Sequence, residues 1–136
     1  MSFFDVLAIS GSGMHAQMIR MNATSSNLAN VGVEASSAEE AYKAKRAVFR
    51  TIYDTSAEDY KASVGVEDVV HADRPNERRF EPGNPLANED GYIYISNVNS
   101  IEEMMDMQMS SRAYQANVEV INTAKKLVLN TLRLGK

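Results

Sequence analysis

Residues 98–136 read VNSIEEMMDMQMSSRAYQANVEVINTAKKLVLNTLRLGK, and the spacing of apolar positions in this stretch decides the architecture. Met104, Met107, Ser111, Tyr114, Val118, Ile121, Lys125, Val128 and Leu132 recur at intervals of three and four, the period of a helix lying along another helix. A second line (Met109, Ala113, Ala116, Val120, Leu127, Leu134) flanks the first, so the apolar face is wide. Ser100-Ile-Glu-Glu103 has the form of a capping box, and Glu102 and Glu103 stand where the helix dipole favours negative charge. Lys125, Lys126 and Arg133 lie towards the other end, again the favourable sign. At 1.5 Å per residue the segment spans about 55 Å. A compact chain of 136 residues has a radius of gyration of only about 14 Å. Such a helix must protrude or be shared.

The N-terminal segment repeats the theme. Leu7, Gly11, Met14, Met18, Met21, Ser25 and Leu28 form a stripe at the same alternating spacing. Between Val6 and Val33 the only formal charge is Arg20, so even the polar side of this helix is expected to pack against protein. Gly11 and Gly13 each cost about 1 kcal/mol of helix stability relative to Ala. They mark either a kink or the close approach of a neighbouring helix. Ser2 and Asp5 form a weak capping pattern at its start.

Between the two helices the chain changes character. Glu34–Glu40, rich in Ser, Ala and Glu, reads as a mobile connector. Tyr42–Tyr53 and Ser63–His71 carry the β-branched and aromatic residues of half-buried strands. Pro75, Pro82, Gly83 and Pro85 exclude a helix, and Asp90-Gly91 ahead of Tyr92-Ile-Tyr-Ile-Ser96 reads as a turn entering a strand. The expected fold class is α+β: long N- and C-terminal helices forming a coiled-coil-like layer, flanking a small antiparallel β module. The expected divisions are an N-terminal helix over 1–31, a β-rich unit with its connector over 32–97, and a C-terminal helix over 98–136.

Composition narrows the function classes. A net charge of −4 argues against nucleic acid as the main partner. Lys43, Lys45, Arg46 and Arg50 are interleaved with Ala and Val and read as the solvated face of a strand. The absence of cysteine excludes disulfides, thiolate metal sites and a cysteine nucleophile. His15 and His71 lie in different segments with no carboxylate or histidine at zinc-ligand spacing. Gly11-Ser-Gly13 lacks the Lys and the preceding strand of a phosphate loop. The carboxylates Glu102, Glu103 and Asp106 read as cap and solvent face. The reading is therefore of a non-enzyme with no catalytic, cofactor-binding or metal-ligating residues. Met1–Asp5 has neither a basic leader nor a cleavage site, so a cleavable secretory signal is not expected, and neither is membrane insertion.

Several motifs together carry a resemblance. Ser10-Gly-Ser-Gly-Met-His-Ala-Gln17, Ser26-Asn-Leu-Ala-Asn30 and Arg112-Ala-Tyr-Gln-Ala-Asn117 resemble the terminal signatures of bacterial flagellar axial proteins. Phe80-Glu-Pro-Gly-Asn-Pro-Leu-Ala87, Asn97-Val-Asn99, Ala124-Lys-Lys-Leu127 and Leu132-Arg-Leu-Gly-Lys136 narrow this to the flagellar basal-body rod protein family, nearest its proximal rod members. Val31–Ala41 departs from the family pattern: Tyr42-Lys43 stands without the preceding Pro. The resemblance implies a structural subunit of the rod in the periplasmic space, exported without a cleavable signal by the flagellar type III apparatus. Its partners would be copies of itself and other rod proteins, joined by terminal-helix packing. The expected assembly residues are Leu7, Gly11, Met14, Met18, Met21 and Leu28 with Met107, Tyr114, Val118, Ile121, Val128 and Leu132. Asn27, Asn30, Gln115 and Asn117 are the candidates for hydrogen bonds across helices. The alternatives are another rod or rod–hook axial subunit and, in a different class, a soluble helical adaptor or export chaperone.

Overall fold

The computed structural model describes residues 3–54 and 61–135. The elements run α1 (Phe3–Ala29), β1 (Glu34–Ala35), β2 (Lys45–Asp54), β3 (Lys61–His71), β4 (Glu77–Phe80), β5 (Tyr92–Ile95) and α2 (Ser100–Leu134). The α+β class expected from the sequence is the one observed, with the two long helices flanking antiparallel β structure. That structure is two small sheets rather than one. β1, β5 and β4 form a three-stranded sheet in that order, and β2 and β3 form a separate ribbon.

Each boundary has a local cause. Asn99 caps α2, its Oδ1 accepting from the amides of Ile101 at 3.0 Å and Glu102 at 3.4 Å. The cap thus sits one residue ahead of the expected Ser100 box, because Asn places a short acceptor over the first free amides. The expected Ser2 cap of α1 lies outside the described residues. Gly32, with φ of +70°, takes the left-handed turn after α1, a conformation in which a side chain is strained. Its amide donates to Ser96 Oγ at 3.1 Å, which carries the chain back so that Glu34 and Ala35 pair with Ile95 and Tyr94.

The connector Glu34–Glu40 starts as this short strand, and the Glu40 amide donates to Ser37 Oγ at 3.2 Å. Ala41 and Ala44 are buried, and the amide of Ala44 donates to Asn97 Oδ1 at 2.6 Å. The Asn97 side chain in turn donates to the carbonyl of Arg74 at 2.6 Å, stapling three loops around the small sheet. Ile93 is the largest apolar side chain fully buried there. Asn88 and Gly91, the latter at φ +79°, close the loop between β4 and β5.

β2 begins at Lys45, three residues after the expected strand start, and pairs with β3 along its length with a bulge at Val48/Phe49. A lone two-stranded ribbon is marginal in water. Here it lies along α1: the Arg20 guanidinium sits 5.2 Å from the Phe49 ring, and the Val64 amide donates to Ser12 Oγ at 3.1 Å.

Candidate assembly interface

α1 and α2 run antiparallel. Asn27 Nδ2 donates to Glu103 Oε2 at 2.9 Å near one end, while further along a Cβ on Gly13 would come within 3.1 Å of the Asn117 side chain. Near the other end Val6 lines a groove with Ala116, Val120, Ala124 and Leu127. The buried α1 residues are Asp5, Ser10, Ala16, Ala23, Thr24 and Asn27, all small or polar. Small side chains let two helix backbones approach closely.

At one end of the pair lies a polar junction. Asn27 is fully buried and fully bonded: Nδ2 also donates to the carbonyl of Lys45 at 2.9 Å, and Oδ1 accepts from the Lys45 amide at 2.8 Å and the Tyr42 hydroxyl at 3.0 Å. Glu103 is also fully buried, with Oε1 lying 3.0 Å from Arg46 Nη2 as an ion pair without hydrogen-bond alignment. Arg46 Nη1 donates to Asp106 Oδ2 at 2.7 Å. A buried carboxylate is tolerated only when charge and hydrogen bonds both answer it. The three residues join α1, α2 and β2 at one point. Two expectations are corrected here: Glu103 faces the helix seam rather than solvent, and Arg46 faces α2 rather than standing on a solvated strand face. The signal for Glu103 was its place four residues before Met107, in line with the apolar stripe.

The expected assembly residues fall in several places. Leu7, Met14, Met21, Leu28, Met107, Tyr114, Val118, Ile121 and Val128 are half-buried. Gly11 and Gln115 are exposed, Met18 is 44% exposed and Leu132 is 65% exposed. Of the four expected amides, Asn27 reaches across to α2. Asn30 and Asn117 bond within their own helices, to the carbonyls of Ser26 at 2.7 Å and Ala113 at 3.0 Å.

Along the outside of α2 a long apolar surface stays open. Ile101, Met105, Met109, Val120, Leu127 and Leu134 share one side of the helix and are exposed; Met104, Leu129 and Leu132 are exposed on its other sides. It continues into the groove beside Val6, whose volume is about 520 Å³. Large apolar side chains left exposed along one side of a helix mark an interaction site. Among the described residues, no group of three or more His, Asp or Glu could hold a metal ion, and no helix is long and apolar enough to cross a membrane.

A pair of long antiparallel terminal helices that leaves many large apolar side chains of α2 exposed fits the structural, helix-assembling class. Comparison with known proteins makes this particular. Residues 7–34 match the family described as "Flagella basal body rod protein", and residues 89–134 match "Flagellar basal body rod FlgEFG protein C-terminal". The chain is 38% identical to the flagellar basal-body rod protein FlgC of Salmonella typhimurium, over the full length of both. It is 40% identical to FlgC of Escherichia coli O157:H7, again over both full lengths. It is 32% identical to FlgC of Aquifex aeolicus, over all of this chain and 99% of that protein. This chain belongs to the FlgC family of flagellar basal-body rod proteins.

Proposed function

We propose that this chain, a structural subunit of the flagellar basal-body rod, transmits motor torque across the periplasm. It joins copies of itself and other rod proteins through the open faces of its terminal helices. The observation that carries this reading is the apolar side of α2: Met105, Met109, Val120, Leu127 and Leu134 fall on one side of a well-formed helix and stay in water, with Met104, Leu129 and Leu132 exposed on its other sides. A rigid shaft needs many laterally packed helices. An antiparallel pair with apolar residues on its outside supplies one strut of such a layer. Delivery through the flagellar type III apparatus belongs to the same reading and places the export information in α1.

The test separates assembly from folding. Met18→Asp and Leu127→Asp each put a charge on a side chain that is 44% and 63% exposed, respectively, so the isolated chain keeps its helicity. Each variant is expected to be missing from purified basal bodies and to abolish swimming. Normal motility in both would refute the assembly faces. A chain lacking residues 3–20 that still reached basal bodies would refute the export part of the reading.

A further inference from the structure

The alignment of the two helices is readable from their contacts. Two heptads separate Asn27–Glu103 from Gly13–Asn117 on both helices, in opposite directions, which puts Val6 level with Ala124 one heptad further, inside the groove that Val6 lines with residues 116–127. The same alignment sets Ala23 level with Met107 and Ala16 level with Tyr114. Both seams therefore repeat every seven residues, small on α1 (Ala16, Ala23) and large on α2 (Met107, Tyr114, Ile121, Val128). A slide by one heptad again sets alanine against a large side chain: Ala23 against Tyr114 and Ala16 against Ile121, or Ala16 against Met107. Apolar packing discriminates poorly between these arrangements.

The polar junction does not repeat. Sliding one way carries Glu103 past the end of α1. Sliding the other way sets it against Arg20 and strands Asn27 beyond the start of α2. In both cases Asn27 loses its bond to Glu103, and Arg46 moves away as well, because the Lys45 backbone ties β2 to Asn27. A buried amide or carboxylate without partners is heavily penalised, and single polar groups on a helix seam are well suited to choosing register.

We infer that Asn27, Glu103 and Arg46 form a register key, choosing one alignment of α1 and α2 among heptad-spaced alternatives. Asn27 and Glu103 specify the level of the helices, and Arg46 ties the β2–β3 ribbon to the same level.

Disulfide trapping in the full-length chain tests this, and the chain has no cysteine of its own to interfere. Val6→Cys is combined in turn with Ala124→Cys, which reports the observed register, and with Asn117→Cys or Thr131→Cys, which report the two slides. With the key intact, only the Ala124 partner should cross-link. With Asn27→Leu and Glu103→Leu together, the slid pairs should rise roughly tenfold while helicity by circular dichroism is kept, as expected when a few net hydrogen bonds separate the alternatives. Glu103→Gln, which still accepts from Asn27, should restore the single register. A single register in the doubly substituted chain overturns the proposal. So does its unfolding without any cross-link, since the residues would then hold the fold rather than select an alignment. Failure of the intact chain to favour the Ala124 partner overturns the pairing itself, and a spread in Glu103→Gln removes the key from the Asn27 bond.

Discussion

Asn27 spends its whole hydrogen-bonding capacity: both amide protons donate, and the carbonyl oxygen accepts from Lys45 and Tyr42. Asn27→Ala would orphan Glu103 Oε2 and the Lys45 amide inside the protein. Each such group costs about 1–3 kcal/mol, so the expected loss is about 2–6 kcal/mol in urea unfolding followed by circular dichroism. Asn30→Ala removes one bond within its own helix terminus and should cost about 1 kcal/mol or less. Equal losses at the two positions would contradict the burial difference. At this scale the sequence was partly legible. Asn27 stood out as an amide in a nearly charge-free helix. Glu103 did not, because a carboxylate in the first turn of a helix already has an adequate explanation in the dipole, and its neutralising Arg46 is 57 positions away in the chain.

Helix α1 shows why the packed face is harder to read than the helix itself. The length, charge pattern and apolar period announced both helices, but the eye follows large side chains, and Met14, Met18 and Met21 mark only one side of α1. The contacts that reach α2 come from Gly13 and Asn27, roughly a third of a turn round the helix from those methionines. These residues give little hydrophobic signal and gain their energy from close approach. The two helical glycines separate the readings left open by sequence. Gly11 is exposed, with no atom within 4 Å of where a methyl group would stand, whereas Gly13 faces Asn117 at 3.1 Å. Gly11→Ala should therefore stabilise the chain by up to about 1 kcal/mol through helix propensity. Gly13→Leu should destabilise it by about 1–3 kcal/mol through overpacking. Thermal unfolding of the two variants checks this; a shift of the same sign in both would contradict close approach at Gly13. The bonds on either side of the connector were illegible for a different reason: the partners of Gly32 and Ala44, Ser96 and Asn97, lie at the far end of the β unit.

Seen whole, the chain exposes more surface than its mass requires. Its accessible area is 9395 Å². A compact monomer of 15.0 kDa would expose about 7,000 Å². The difference is of the order that a subunit hides in an obligate interface. The described residues also hold little apolar interior: the fully or nearly buried hydrophobic side chains are Ala16, Ala23, Ala41, Ala44 and Ile93. That alanine-rich interior has a thermal consequence. Heat-capacity change follows apolar surface taken from water, so unfolding of the free chain should fall below the usual ~12–15 cal/mol/K per residue. Scanning calorimetry on the isolated chain measures this, and an ordinary value would show a larger core than the one described. The missing heat capacity belongs to association, where burial of the α2 leucines and methionines gives a negative change. Near room temperature such burial is driven by entropy and weakens on cooling. Contacts between subunits should therefore tighten as the cell warms, while the fold of each subunit hardly registers the change.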